Sequence, residues 1–227
     1  MTHFFEHELD TLQQRLLTMG SHAQAAVSRA VKAVLDRNDD HAWQVKEDDR
    51  ILDELEMEVD ELAVALLAKA PLATNLRLIT VAMKISQNLE RIGDEATTIA
   101  RRALALNALA QIEPTVDLPS LTAKSLALLK DALSAFLNRD AAQALAVVPR
   151  DKEVDVLNRQ IQHELTDHMV ADREAIPRCL HLMVVAKSLE RVADHATNIA
   201  EEAVFLFEGR DVRHSLKSAN DRPPHAA

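Results

Sequence analysis

Apolar residues in this chain recur at alternating intervals of three and four over long stretches. The clearest runs through Ala82, Ile85, Leu89, Ile92, Ala96, Ile99 and Ala103, and Leu182, Val185, Leu189, Val192, Ala196, Ile199 and Ala203 repeat it. A third run takes in Leu52, Leu55, Val59 and Leu62. This spacing places one apolar stripe along a helix, as in a coiled-coil-like seam, and small Ala residues within it let neighbouring helices approach closely. Breaks near 36–40, 69–71, 107–119, 138–140 and 172–177 divide the chain into six such segments, several of them about 30 residues long. The pattern predicts six helices and an all-α fold.

The segments form two sets of three. Leu89 to Ala100 aligns with Leu189 to Ala200 at a displacement of 100 residues, with eight of twelve positions identical. Ala33, Leu35, Arg37, Ala42, Val45, Asp49 and Asp53 match Ala135, Leu137, Arg139, Ala144, Val147, Asp151 and Asp155 at a displacement of 102. Internal repetition of this kind predicts two tandem homologous bundles, each of three antiparallel helices because the connections are short. The expected layout is a first bundle over 1–110, a linker over 111–119 containing Pro114 and Pro119, a second bundle over 120–214, and a disordered polar tail over 215–227. Pro149 is expected to disturb the start of the fifth helix, two positions before Asp151, which weakens any site there.

Composition agrees with helix. The chain of 227 residues is 48% hydrophobic, has three Gly and no Tyr, and carries a formal net charge of -10. That charge repels a phosphate backbone or an anionic membrane, so nucleic acid is not an expected partner. The N-terminus lacks the basic and apolar regions of a signal peptide, and no apolar run approaches the roughly 20 residues needed to span a bilayer, so a cytoplasmic protein without membrane insertion is expected. Cys179 is the one cysteine and lies among apolar neighbours, which makes it a core residue.

The seams leave acidic residues in rows beside them. Glu90 and Asp94 are one helical turn apart off the seam, Glu190 and Asp194 repeat them, and Glu201 extends the second row. On the second helix Asp49, Asp53, Glu56 and Asp60 form an acidic stripe, and Asp151 and Asp155 are the counterparts of Asp49 and Asp53. Acids at i and i+4 repel by roughly 0.2–0.5 kcal/mol per pair. Two readings follow: a solvated acidic face that keeps the protein soluble, or an exposed face on which carboxylates from adjacent helices converge on cations. An all-oxygen set suits Mg²⁺, Mn²⁺, Ca²⁺ or iron, with His195 a supplementary ligand. A ferritin-like di-iron enzyme would need Glu-x-x-His pairs, and Gly93 and Ala193 stand where those histidines would be. A metal-dependent phosphohydrolase lacks a nucleophile with a positioned base and a Gly-rich phosphate loop, the three Gly standing apart at 20, 93 and 209. A metal-free helical scaffold is the third reading.

Glu90-Arg91-Ile92-Gly93-Asp94 and Glu190-Arg191-Val192-Ala193-Asp194 resemble the Glu-Arg-Ile-Gly-Asp motif that the PhoU family carries once per three-helix bundle. Met19-Gly20, Leu76-Arg77 and the run Phe207 to His214 extend the resemblance over nearly the whole chain. It implies a non-enzymatic negative regulator of the phosphate-starvation response. Such a protein couples the ATPase subunit of a high-affinity phosphate transporter to a phosphate-sensing histidine kinase. It also implies a homodimer, no organic cofactor, and iron, zinc, manganese or magnesium ions on Asp49, Asp53, Glu90, Asp94, Asp151, Asp155, Glu190 and Asp194.

Overall fold

The computed structural model describes residues 2–69, 73–110 and 116–212. The first half forms α1 (Thr2–Leu35), α2 (Asp39–Leu67) and α3 (Ala73–Asn107). The second forms α4 (Leu118–Asn138), α5 (Ala141–Val147), α6 (Asp151–Ala171) and α7 (Ile176–Glu208), with 3₁₀ turns at Val148–Arg150 and Arg173–Ala175. Among the described residues there is no strand, and no helix is long and apolar enough to cross a membrane.

Helix boundaries follow local chemistry. Asn38, Asp117 and Asp140 each accept a backbone N–H from three residues on, capping α2, α4 and α5. Arg139 (φ 54) and Gly209 (φ 68) adopt left-handed backbone to close α4 and α7. Pro149 lacks the N–H a continuous helix requires, so the fifth segment tightens into a 3₁₀ turn and restarts at Asp151. The segment is two helices joined by a turn, where the sequence suggested one helix with a disturbed start. The expected linker also ends earlier than 119. Asp117 caps α4, and Pro119 sits in that helix's first turn, where a missing N–H costs nothing. Residues 111–115, the last two residues expected in the second bundle (213–214) and the expected tail lie outside the described residues.

Within the first half α1, α2 and α3 all pack on one another, and in the second half α7 packs against α4, α5 and α6. All seven seam positions of α3 are fully buried, and so are those of α7 apart from the half-buried Leu182. A second buried row, Ile79, Ser86, Gly93 and Ala100, lies beside the α3 seam, and Cys179, Ala186, Ala193 and Ala200 repeat it in α7. Cys179 is thus in the core, where burial pushes its thiol up.

The halves are joined chiefly by α3 against α7, which run antiparallel. Lys84 pairs with Glu202 at 3.0 Å near one end, and Glu95 with Arg191 at 3.1 Å further along. Between them Asn88 meets both His195 and Asn198. A smaller contact brings α1 to α4 at Gly20, where an added Cβ would lie 2.5 Å from Leu133 Cδ1. The duplication also shows in an inverted ion pair. Arg29 on α1 binds Asp48 on α2, and at the equivalent positions Asp131 on α4 binds Arg150, 2.5 Å away.

Gly93 has the same close-approach role within the first half: an added Cβ would lie 2.5 Å from Leu52 Cδ1 and 3.6 Å from Asp49 Oδ1, both on α2. The equivalent positions carry Val154 and Ala193, a smaller residue on the facing helix and a larger one here, both fully buried. This exchange of volume predicts a coupling. Gly93→Ala alone and Leu52→Val alone should each destabilise by about 1 kcal/mol, from overpacking and from a cavity respectively. The double variant, measured by urea unfolding, should cost less than the two added together by at least about 0.5 kcal/mol.

Candidate functional site

The close passage of α2 over α3 at Gly93 brings two acidic sets side by side. Asp49, Asp53 and Glu56 project from α2 along the same edge as Glu90 and Asp94 of α3. Burial pushes the Glu90 carboxyl up to about 7, with Asp94, Glu56 and Asp53 adding to the effect and Arg91 opposing it. Burial also raises Asp49, aided by Asp53 and Asp94, and raises Glu56, aided by Asp60, Asp53 and Asp94. One oxygen of Asp60 is buried without a hydrogen-bond partner. Two cations oppose these shifts: Arg91, 2.9 Å from Asp94 and 3.4 Å from Glu90, and Arg101, which acts on Asp49.

The glutamates of the rows are less exposed than the heptad positions implied, whereas Asp53 and Asp194 are exposed and 49% of the Asp94 side chain is accessible. Only 17% of the Glu90 side chain and 15% of Glu190 is accessible, and Glu201 is 8% exposed. Positions flanking a seam are open on an isolated helix, but here α2 and α6 lie alongside and cover them. Glu201 is part of the buried end of α7 and does not extend an exposed row.

In the second half Asp151 and Asp155 stand on α6, with Glu190 and Asp194 on α7. The same four positions recur with different neighbours. Asn158 Nδ2 donates to Glu190 Oε2 at 2.9 Å, and the Lys187 ammonium pairs with that same oxygen. Arg191, the counterpart of Arg91, reaches across to Glu95 on α3. The charges that act on Glu90 and Asp49 lie on α2 and α3, which places Asp49, Asp53, Glu90 and Asp94 in one neighbourhood of the first half. Among the described residues no three His, Cys, Asp or Glu side chains stand close enough together to hold a metal ion. His195 lies in the α3–α7 contact, its Nδ1 donating to Asn88 Oδ1 at 3.0 Å, and burial lowers its pKa.

Asn158 and Lys187 are the residues that sequence reasoning missed. The signal was present: displaced by 102 residues, Glu56 falls on Asn158 and Asp60 on Gln162, and displaced by 100, Gln87 falls on Lys187. Attention to retained acids passed over the lost ones.

A carboxyl raised in the folded state above its unfolded value of 4.5 binds its proton more tightly when folded. Its contribution to stability is therefore present at low pH and lost as the pH rises from about 4.5 to about 7. Glu90→Gln should leave stability unchanged near pH 4.5 and raise it by roughly 1 kcal/mol at pH 8, allowing for solvent screening. Urea unfolding of chelator-treated protein at the two pH values measures this; an equal effect at both would mean that charge is not the cause.

The arrangement also occurs in known proteins. Two stretches of the chain, residues 16–103 and 118–203, match the PhoU domain. The phosphate-specific transport system accessory protein PhoU homolog of Pseudomonas aeruginosa is 39% identical over 212 residues, covering 92% of this chain and 88% of that one. The phosphate-specific transport system accessory protein PhoU of Escherichia coli K12 is 34% identical over 211 residues, with 92% and 88% covered. The crystal structure of PhoU from Pseudomonas aeruginosa superposes with a TM-score of 0.87 at 37% identity, over 91% of this chain and 100% of that one. That of the phosphate transport system regulatory protein PhoU from Streptococcus pneumoniae gives 0.83 at 27% identity, over 92% and 99%. With a doubled domain match, full-length relatives above 30% identity and the same six-segment fold, the chain belongs to the PhoU family.

Proposed function

We propose that this protein is a regulatory accessory of phosphate transport, acting by binding and not by catalysis. The observation that carries this reading is the match of both halves to the PhoU domain within relatives named as phosphate-specific transport system accessory proteins. In this reading it lowers phosphate uptake and the starvation response when phosphate is plentiful. It does so from the cytoplasm, as a homodimer, by contacting the ATPase subunit of a phosphate ABC transporter and a phosphate-sensing histidine kinase. Two features favour a soluble binding partner over an inserted one: the net charge of -10 and the lack, among described residues, of an apolar spanning helix.

The carboxylate rows are proposed as ion-binding faces for iron, zinc, manganese or magnesium. The first row fits that role by its chemistry. Its donors are all carboxylate oxygens, the Glu90 carboxyl is held near 7 by burial first and by the like charges around it second, and an Asp60 oxygen lacks a partner. A cation would relieve this repulsion. Asp49, Asp53, Glu90 and Asp94 would hold it. Metal here would stiffen the α2–α3 edge and reduce its negative charge, altering what can dock there.

Deleting the gene should leave phosphate-responsive genes expressed in phosphate-rich medium, read by a reporter fusion; unchanged repression would remove the regulatory reading. Pull-down from phosphate-rich cells, comparing wild type with Glu90→Ala/Asp94→Ala and Glu190→Ala/Asp194→Ala, tests the faces. Loss of transporter or kinase capture ties a row to docking, and intact capture by both variants assigns the rows a structural role.

A further inference from the structure

Along the α3–α7 pair the polar contacts close at one end and stay open at the other. Each step up α3 is a step down α7: Lys84 meets Glu202, Asn88 meets Asn198 and Glu95 meets Arg191. Two turns beyond Glu95 this register sets Arg102 opposite Val184, the positions that duplicate Glu202 and Lys84 at a displacement of 100. The ion pair at one end therefore has no copy at the other. Among the described residues Arg102 forms no ion pair, and its Nε is buried without a hydrogen-bond partner. Its charge is felt by His181 on α7, on which no carboxylate acts.

We propose that this end of α7 is the face on which two copies of the chain join, α7 lying antiparallel to its own copy across a two-fold axis at Leu180. This rests on the homodimer reading above and assigns it a surface.

The apolar part of the face is a ridge. Ile176 and Leu180 are 36% and 52% exposed, Val184 one turn further is partly exposed, and Val170, on the end of α6 that leads into α7, is 82% exposed. Residues at i, i+4 and i+8 form the ridge by which one helix interdigitates with another. The ridge is particular to this end of the molecule. The equivalent residues of the first half are Leu76, Thr80, Lys84 and Ala68, so three positions have become larger and apolar while remaining open to solvent. Exposed apolar side chains gathered on one face mark a contact surface.

Charge selects a second copy as the occupant. Glu174, in the 3₁₀ turn that leads into α7, is exposed and forms no ion pair among the described residues. An axis at Leu180 sets that side chain on its own copy and Ile176 on the partner's Val184. The same axis brings Arg102 level with the start of the partner's α7, where the partner's Glu174 supplies the carboxylate that α7 of the same chain does not. Symmetry forms the pair twice. A small free anion would satisfy Arg102 but leave the ridge uncovered.

Analytical ultracentrifugation of the full chain across micromolar concentrations tests the surface, with circular dichroism melts to confirm that each variant is folded. Wild type is expected to sediment as a dimer. Leu180→Lys, which sets two ammonium groups on the axis, and the single reversals Arg102→Glu and Glu174→Arg should each weaken dimerisation at least about tenfold. The double variant Arg102→Glu/Glu174→Arg should return to within about threefold of wild type. Leu180→Cys should oxidise to a disulfide between copies, whereas wild type, whose Cys179 is buried, should not. Undiminished dimerisation in Leu180→Lys and both reversals, a double variant as weak as the singles, or no cross-link in Leu180→Cys overturns this surface and leaves the homodimer reading standing. A monomeric wild type overturns both.

Discussion

The fold depends on one constraint: α3 and α7 must each serve two bundles at once. Each is the third helix of its own half, burying the seam against its two sisters, and each also lies antiparallel to the other across the middle of the molecule. Burial in α3 widens beyond the seam to include Ile79, Ser86, Gly93 and Ala100, and α7 follows with Cys179, Ala186, Ala193 and Ala200. Within this row Gly93 and Ser86 face the other helices of the first half, Leu52 of α2 and Met19 of α1. The polar contacts between α3 and α7 lie at the margin of this pairing, where Lys84–Glu202 and Arg191–Glu95 hold its register.

Close packing is also what concentrates the charge. With Gly93 beneath Leu52, α2 lies close on α3, and the acids of the two helices become near neighbours, with Glu90 largely covered. The raised carboxyl of Glu90 is the direct consequence, a desolvation effect first and a like-charge effect second. Native structures seldom keep such an arrangement for stability, since each ionised carboxylate opposes the others. Here Arg91 and Arg101 offset part of that repulsion.

The duplicated halves then show two ways of treating the same position. The Arg29–Asp48 pair has been inverted to Asp131–Arg150 with its contact kept, so only the sum of the charges mattered there. The Leu52–Gly93 volume has been redistributed to Val154 and Ala193 in the same spirit. The carboxylate rows behave differently. Glu56 and Asp60 have become Asn158 and Gln162, while Arg101 has become Glu201, so the two halves place their carboxylates at different positions.

Much of this was legible along the chain. The three-four spacing specified the helices and their inward faces, since it depends only on the 3.6-residue turn, and the repeat at displacements of 100 and 102 specified two equivalent halves. The motif residues Glu90, Asp94, Glu190 and Asp194 could be placed on one edge for the same reason. The sequence did not determine how buried that edge is, because accessibility belongs to α2 and α6 lying over it and not to the helix that carries the motif. Nor did it determine that His195 would face Asn88 across the α3–α7 contact, or that Pro149 would resolve into a clean 3₁₀ turn. Glu190 pairs with Lys187 within one turn of its own helix, as spacing alone allows, but its hydrogen bond from Asn158 joins α6 to α7 and exists only through tertiary packing. Periodicity is a property of one helix at a time, whereas burial and charge environment are properties of its neighbours.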